Sequence, residues 1–457
     1  MGKGVATLCS QQNKHRPDKK IWDKPVQTSL LEISKRAETH PKHRFGNLSG
    51  LLTLDHLRES YYSLKKKASA GVDGVDWKAF GVDLESNLEN LWSSVKKGSY
   101  KAKLVKRKYI PKGGGKTRPL GIPAIGDKVL QQCVRNILES IFEVDFPDCS
   151  FGYRKGLGPH DALKYLNKGI SFGKVGYVVE ADIKGFFNNI DHDWMIKMLE
   201  ERIDDRPFIG IIRKWLKAGI LEEDGKVISP VSGTPQGGVA SPVLANIYLH
   251  YVLDLWFKHK VAHRCKGEAF LCRYADDFVA VFQYKNEAEA FYEELGGRLG
   301  KFNLEVAPEK TKMIRFSRFQ QEESGIFEFL GFQFYWGKSR KGRDSLKMIT
   351  SPKKMRGSLH AMSEWLMKNR HMKTRELIKL VNAKLRGYWG YYGRIGNYER
   401  LAEYFHIAKR LMFRALNNRS QRRSYSWNGF HMMLNSIYIE KPRITENNQF
   451  ESMLVFT

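Results

Sequence analysis

The chain has few cysteines, no long apolar run and no apolar signal core. Its five cysteines, at positions 9, 133, 149, 265 and 272, show no Cys-x-x-Cys spacing, so neither a disulfide framework nor a structural zinc site is indicated. We interpret them as buried free thiols. No stretch approaches the apolar length that spans a bilayer, and the first four residues do not open a signal peptide. We therefore expect a soluble, cytoplasmic protein without a membrane partner.

Acidic residues are also scarce, because only 49 Asp and Glu face 77 Lys and Arg, which gives a formal net charge of +28. A charge of this size acts at long range on a polyanion, so nucleic acid is the first partner to expect. Residues 351–457 hold 20 basic side chains against 7 acidic ones, a net +13. This density predicts a separate nucleic-acid-binding module in the last quarter of the chain.

The apolar pattern predicts an α+β fold. Residues 177–183 indicate a buried strand, residues 269–272 and 278–282 a hairpin, and residues 329–334 a further strand, with amphipathic helices between them. This order suits an antiparallel sheet with helices on one face. Beyond Pro352, three amphipathic patterns predict a small helical bundle with basic outer faces.

Three carboxylates carry the chemistry. Asp276 and Asp277 lie at the tip of the predicted hairpin, and adjacent anions at a tight turn favour a bound cation such as magnesium, although a lone Asp-Asp pair is more often a solvated turn. Asp182 ends a hydrophobic strand, where an unpaired carboxylate would be costly. If strand and hairpin are neighbours in one sheet, the three can bind two magnesium ions about 4 Å apart, which suits phosphoryl transfer on a nucleotide.

A glycine-rich basic loop precedes these carboxylates. It runs from Lys112 to Arg118 between two extended segments, where backbone amides and cations can face a phosphate. The loop lacks the spacing of a P-loop. Its basic groups could neutralise an outgoing pyrophosphate, in line with electrostatic stabilisation as the main catalytic effect.

Several motifs then occur in the order typical of one family. They lie at residues 110–123, 150–154, 181–187, 232–238 with Ser241-Pro242, 273–277, 308–311 and 329–332. In this order they resemble the reverse transcriptases encoded by group II introns, often called maturases, and residues 386–392 resemble the thumb of that family. The resemblance implies a right-hand polymerase. We expect a flexible basic arm at residues 1–28, an N-terminal extension and fingers at 29–175, a palm at 176–348 and a helical thumb or maturase domain at 349–457.

The resemblance also implies roles for individual residues in the palm. Asp182, Asp276 and Asp277 would bind two Mg²⁺ ions, with the Ile183 carbonyl as a further oxygen ligand. Lys310 would protonate the pyrophosphate, although it could also be an ordinary solvated lysine. These four side chains form the predicted catalytic set.

Further residues would bind the substrates. Around the incoming nucleotide, Lys112 and Arg118 would contact the triphosphate and Gln236 would pack at the nascent base pair. Phe187 would exclude a 2′-hydroxyl; Phe186 is the alternative, and one of the two would belong to the core. The primer grip would comprise Phe329, Leu330 and Gly331, an aromatic strand that could equally be sheet core. The predicted RNA-binding residues of the thumb are Arg386, Arg394, Lys409, Arg410, Arg414, Arg422 and Arg423.

The expected partners are an RNA template, in particular structured intron RNA, a DNA primer or target and dNTPs, which would associate the protein with the nucleoid. Members of the family with an endonuclease extend past the thumb with paired cysteines, which the residues before Thr457 lack, so we expect the endonuclease-lacking type. Two other hypotheses remain: a host-adopted reverse transcriptase in DNA repair or phage defence, and a mainly non-enzymatic splicing cofactor. An RNA-templated RNA polymerase is disfavoured by Phe187.

Overall fold

The computed structural model describes residues 26–113, 116–339, 341–419 and 424–446. Its helices are α1 (Val26–Thr39), α2 (Leu54–Ser63), α3 (Trp77–Phe80), α4 (Leu84–Lys96), α5 (Ile125–Phe142), α6 (Pro159–Phe172), α7 (Phe186–Asn189), α8 (His192–Glu200), α9 (Arg206–Leu216), α10 (Ser241–Leu249), α11 (Ala262–Arg264), α12 (Lys285–Gly300), α13 (Pro352–Lys368), α14 (Thr374–Tyr392), α15 (Tyr398–Asn417) and α16 (Trp427–Ile437). Its strands are β1 (Val105–Gly113), β2 (Lys116–Ile122), β3 (Tyr177–Asp182), β4 (Ile220–Leu221), β5 (Val227–Ile228), β6 (Ala269–Tyr274), β7 (Asp277–Phe282), β8 (Lys312–Arg315), β9 (Phe327–Phe329), β10 (Phe332–Lys338) and β11 (Asp344–Thr350).

The chain forms two compact units, each assembled from separate segments. The first comprises the described parts of residues 1–110, 117–147 and 185–251, and the second those of residues 111–116, 148–184 and 252–457. Of the predicted N-terminal arm, residues 1–25 lie outside the described residues. Residues 26–28 already belong to α1, so helical order begins slightly before the predicted boundary.

The first unit is mainly helical. Its longest helix, α5, is buried along most of its length and packs against α1 and α2. Local signals start several helices: the side chains of Thr53, Asp191 and Asp205 each accept a backbone N–H of the first turn of α2, α8 and α9. Most of a small sheet in the order β2-β1-β4-β5 also belongs to this unit, whereas residues 111–113 of β1 and 116 of β2 are assigned to the second.

The second unit contains an antiparallel sheet in the order β6-β7-β3-β8, so β3 is an interior strand. The prediction of helices on one face of this sheet is wrong. Val279 and Val281 share a core with α6, whereas Phe282, on the other face of β7, packs against Phe291 of α12 with ring centroids 5.3 Å apart. The sequence of β7 explains why both faces are covered. Every residue from 278 to 282 is apolar and buried, as in a strand packed on both faces.

After the four-stranded sheet, the second unit continues with a three-stranded sheet, in the order β11-β10-β9, and then a helical bundle. Sequence periodicity predicts three helices in the bundle, but a fourth, α16, is present. With only 11 residues α16 would be marginal alone. It is held by the Ser426 cap and by Phe430 and Leu434, which are buried in the bundle core. Within the described residues, no helix is both long enough and apolar enough to cross a membrane.

Candidate active site

Two carboxylates lie side by side at one end of the antiparallel sheet. β3 ends at Asp182, β7 begins at Asp277, and the two residues are register partners. Directly opposed residues on such strands have Cβ atoms about 4.5–5.5 Å apart. The condition set by the sequence, that strand end and hairpin be neighbours in one sheet, is therefore met.

Asp276 lies in the two-residue turn that joins β6 to β7. The turn consists of Ala275 and Asp276, because Tyr274 pairs with Asp277 across the hairpin. Ala275 has φ 57°, a left-handed conformation that costs a residue with a Cβ atom about 1–2 kcal/mol. The tight turn therefore places Asp276 next to the Asp182–Asp277 pair at a cost in backbone strain.

Lys310 joins the carboxylates from a short 3₁₀ turn, Pro308–Lys310. Its ammonium forms an ion pair with Asp182. The backbone fixes this approach, because the Ala307 N–H donates to the Asp182 carbonyl at 2.9 Å and the Lys310 N–H donates to the Ala307 carbonyl at 3.0 Å. Ile183 is buried and forms an antiparallel bridge with Val306 beside this turn.

Like charges crowd this end of the sheet. Asp277 is exposed to solvent at the start of β7, although neighbouring protein partly desolvates its carboxyl group. This partial desolvation, and next the charges of Asp276 and Asp182, raise the pKa of Asp277 to about 6, while Lys310 and Lys354 oppose the shift. The hydrogen bond to Asp182 raises the pKa of Lys310, which is therefore cationic at neutral pH.

The donor set fits magnesium. No three carboxylate, imidazole or thiolate groups among the described residues come close enough to form an all-protein metal cage. Mg²⁺ does not require one, because it is commonly held by one or two carboxylates together with waters and substrate phosphates. Asp182 and Asp277 offer hard oxygen ligands of this kind, and a bound cation would offset their repulsion.

An open cleft of about 790 Å³ lies over this pair. Its walls include Leu330 and Gly331, the two-residue turn between β9 and β10, in which both residues have positive φ. The Tyr391 hydroxyl of α14 donates to the Leu330 carbonyl at 2.8 Å and holds this turn in place. Phe329 also borders the cleft but is only 4% exposed, so most of its side chain is core.

The predicted nucleotide-binding side chains other than Ile183 belong to the first unit or lie outside the described residues. Arg118 is exposed on β2, and the Gln236 carbonyl accepts the Gly121 N–H at 2.7 Å, which joins two of the sequence motifs. Phe186 is only 2% exposed and packs on Tyr248, whereas Phe187 is half-buried. The side chain of Lys112 lies outside the described residues.

The predicted RNA-binding residues have different environments. Arg410 and Arg414 are exposed on α15 and line a cavity of about 500 Å³ whose wall includes Trp427. Lys409 lies 5.0 Å from the ring of Phe405. Arg386 is exposed and its guanidinium is 3.5 Å from Glu440.

One arginine of this set is not available at the surface. Arg394 is only 8% exposed and is paired with Glu446 at 2.8 Å, so its burial argues against a direct RNA contact. Arg422 and Arg423 lie outside the described residues.

Sequence reasoning missed a buried ion pair beneath the hairpin. Arg273 and Asp254 are each nine-tenths or more buried and are joined by two hydrogen bonds. Arg273 was read only as part of a motif, and Asp254 was not singled out. The available signal was a charged residue inside each of two apolar patterns, since a buried charge needs a partner.

Comparisons with known proteins agree with this geometry. Residues 110–334 match the family model described as "Reverse transcriptase (RNA-dependent DNA polymerase)". The chain is 31% identical to the group II intron-encoded protein LtrA of Lactococcus lactis subsp. cremoris, over 83% of this chain and 75% of that protein. It is 31% identical to protein YkfC of Escherichia coli K12, over 74% and 96%. It is 28% identical to the putative COX1/OXI3 intron 1 protein of Saccharomyces cerevisiae, over 62% and 40%.

Proposed function

Because the chain belongs to the reverse transcriptase family of group II intron-encoded proteins and is an RNA-directed DNA polymerase, we propose that it extends a DNA primer on an RNA template in the cleft over Asp182 and Asp277. The observation that carries this proposal is the register pairing of the two carboxylates, with Lys310 bound to one of them on the cleft floor. The family also supports a maturase role, so we include binding of the parent intron RNA to assist its splicing and mobility.

Three carboxylates, Asp182, Asp276 and Asp277, with the Ile183 carbonyl, are proposed to hold two Mg²⁺ ions. The ions would supply activation of the primer hydroxyl and charge neutralisation at the triphosphate. Lys310 contributes a proton to the leaving pyrophosphate, a role that its hydrogen-bonded, cationic state supports.

The proposed nucleotide pocket uses Lys112 and Arg118 for the triphosphate and Gln236 at the nascent pair. Of the two adjacent phenylalanines, Phe187 is the proposed barrier to a 2′-hydroxyl, because Phe186 is committed to the core. The proposed right-hand division has the N-terminal extension and fingers at 29–175, the palm at 176–348 and the helical thumb or maturase domain at 349–457. The turn of Leu330 and Gly331 forms the primer grip.

The proposed RNA-binding surface of the thumb comprises Arg386, Lys409, Arg410 and Arg414, with Trp427 as an aromatic surface for an unpaired base. Arg394 is excluded because its charge is buried and paired. This surface and the polymerase cleft would give one chain both an enzymatic and an RNA-chaperoning function.

The direct test is primer extension on an RNA template with dNTPs, comparing wild type with Asp182→Asn, Asp276→Asn and Asp277→Asn. Each substitution keeps the size of the side chain and removes a charged ligand, so we expect the rate to fall by about 10³-fold or more. Asp224→Asn, at an exposed carboxylate paired with Lys226, is the control and should extend normally. Full-length cDNA made at the wild-type rate by Asp276→Asn would refute the catalytic assignment.

Splicing is tested separately with the same proteins. If the thumb binds intron RNA independently of catalysis, Asp276→Asn should still promote splicing of the intron encoded around the gene. Loss of both activities in this variant would instead indicate that the two functions share the cleft.

A further inference from the structure

A buried guanidinium lies directly beneath the hairpin that carries Asp276. Arg273, the fifth residue of β6, is 0% exposed, and leaving its charge unpaired there would cost several kcal/mol. Its Nε donates to Asp254 Oδ1 at 2.7 Å and its Nη2 donates to Asp254 Oδ2 at 2.5 Å. This two-point pairing fixes the plane of the guanidinium, as a lysine could not.

The remaining donors of Arg273 are directed at the hairpin and at a second motif. Nη1 donates to the Ala275 carbonyl at 3.1 Å, and Nη2 donates to Ser150 Oγ at 2.6 Å. The Ala275 carbonyl belongs to the planar peptide that joins Ala275 to Asp276. Holding this carbonyl fixes the peptide plane, and with it the direction in which the Asp276 side chain leaves the turn.

The turn needs such support because Ala275 adopts a left-handed conformation without being glycine. A residue in this conformation persists only where its surroundings enforce it. The hydrogen bond from Arg273 is one such constraint, and the packing of the turn supplies another.

The segment at residues 149–152 packs against the other side of the turn. The Arg273 N–H donates to the Cys149 carbonyl at 2.7 Å, and the Phe151 N–H donates to the Arg273 carbonyl at 2.9 Å. A Cβ atom on Gly152 would lie 2.2 Å from the Ala275 nitrogen, so only glycine fits without displacing the turn. Two motifs more than 100 residues apart in sequence thus form one support for the hairpin.

We infer that Arg273, oriented by Asp254 and backed by Ser150 and Gly152, is a positioning residue that sets the direction of Asp276 for polymerisation. It acts through the turn and touches no substrate. The inference rests on the metal-binding role proposed for Asp276.

The test separates positioning from stability. Single changes at Arg273 or Asp254 leave a buried charge unpaired and are expected to destabilise the chain, whereas Arg273→Met/Asp254→Leu removes both charges and should recover most of the thermal stability. The control is the ion pair between buried Arg202 and half-buried Asp145 in the first unit, changed to Arg202→Met/Asp145→Leu. Gly152→Ala displaces the turn without altering any charge.

The measurements are kcat, KM for dNTP and the Mg²⁺ concentration that gives half-maximal rate, at a temperature where circular dichroism shows each variant folded. We expect Arg273→Met/Asp254→Leu and Gly152→Ala to lower kcat by about 10- to 100-fold and to raise the Mg²⁺ requirement, with KM for dNTP unchanged within about twofold. Arg273→Lys should not retain the wild-type kcat or Mg²⁺ requirement, because a lysine cannot pair with Asp254 at two points. The control pair should keep the wild-type kcat and Mg²⁺ requirement.

Wild-type kcat and Mg²⁺ dependence in both Arg273→Met/Asp254→Leu and Gly152→Ala would overturn the inference and leave the pair as a fold-stabilising contact. Asp276→Asn is measured in parallel to distinguish the two levels of the argument. If Asp276→Asn is inactive while the supporting variants are normal, only the positioning role fails. If Asp276→Asn is fully active, the proposed role of Asp276 fails and the positioning role fails with it.

Discussion

Asp277 is a carboxylate whose protonation the folded state favours. Its pKa is higher in the folded chain, about 6, than the ordinary value of 3.8, so folding of the metal-free protein favours proton uptake. The metal-free protein should therefore gain stability as the pH falls through 6 towards 4, and should carry a penalty at neutral pH. Asp277→Asn removes that penalty. We predict that it raises the melting temperature at pH 7.5 and has no effect near pH 4, measured by calorimetry in a chelator.

The comparison variant for this prediction is Asp344→Asn. The ion pair with Lys338 lowers the pKa of Asp344, so its charge favours the folded state above the ordinary pKa, by the small amount typical of exposed pairs. Asp344→Asn should therefore leave the melting temperature at pH 7.5 unchanged or slightly reduced. A lower melting temperature for Asp277→Asn at that pH would contradict the charge crowding described here.

At the scale of elements, one asparagine joins the bundle to the sheet of β9, β10 and β11. Asn397 is fully buried; it accepts the Thr350 N–H at 2.9 Å and donates to Thr350 Oγ1 and the Tyr392 carbonyl, both at 2.8 Å. We predict that Asn397→Ala costs about 2 kcal/mol or more, because it leaves the buried Thr350 N–H without its acceptor. If the bundle is the thumb, cDNA products should shorten while single-nucleotide addition stays normal.

The control for this joint is Asn369→Ala, since the Asn369 side chain donates to the Trp365 carbonyl at the end of its own helix. Product lengths on a long RNA template, measured under single-hit conditions, decide the result. Unchanged product length in Asn397→Ala would show that this joint does not govern how long the enzyme stays on its template.

The exposed face of α15 gives a second prediction at this scale. His406, Arg410 and Arg414 follow one another at four-residue spacing and line the same cavity as Trp427. We predict that Arg410→Ala/Arg414→Ala weakens RNA binding and reduces the slope of log affinity against log salt by about 1.4, at about 0.7 per lost phosphate contact on a single strand. Filter binding of intron RNA across a salt series measures the slope.

Two other arginines serve as controls for this surface. Arg370→Ala removes an exposed charge outside the cavity, and Arg394→Ala removes a buried one. Arg394→Ala should lower thermal stability, because Glu446 loses its partner, without a comparable change in slope. Equal slopes for wild type and Arg410→Ala/Arg414→Ala would remove this face from the RNA-binding surface.

Across the whole molecule, the prediction of buried free thiols holds only in part: Cys149 and Cys265 are half-buried, and Cys9 lies outside the described residues. Cys133, Cys149, Cys265 and Cys272 are all free thiols, and Cys133 and Cys272 are buried. Burial raises the pKa of Cys133 and of Cys149 to about 12, and raises that of Cys272 well above its ordinary value, so the reactive thiolate is scarce. We predict that iodoacetamide labels Cys265 well before these three in the native protein. Peptide mass spectrometry checks the order, and prompt native labelling of Cys272 would contradict it.

The elements that sequence predicted well are those with a strong local signal. The strand ending at Asp182 and the hairpin at Asp276 and Asp277 could be predicted because their apolar runs are bounded by carboxylates. The sequence did not predict which arginines of the bundle are exposed. Arg394 is buried in an ion pair with Glu446, which lies far along the chain. The same holds for the sheet with helices on both faces and for the short helix α16, which depend on tertiary packing.

The pairing of Arg273 with Asp254 could not be predicted either, because the local sequence around one residue does not identify the other as its partner. Two adjacent residues show most clearly what the local sequence cannot predict. Phe186 and Phe187 are identical in type, and only the contact of Phe186 with Tyr248 assigns one of them to the core.

The interior position of β3 has a consequence for synthesis of the protein. Its two neighbours, β7 and β8, begin at Asp277 and Lys312. Roughly 100 further residues must therefore be synthesised before either edge of β3 can form a strand pair. Until then a growing chain exposes an apolar strand with two open edges, a state prone to aggregation. Asp182 and Asp277 also meet only after both segments have left the ribosome. A chain terminated before Asp277 would lack the Asp182–Asp277 pair altogether, so a truncated product of this kind could not form the proposed site.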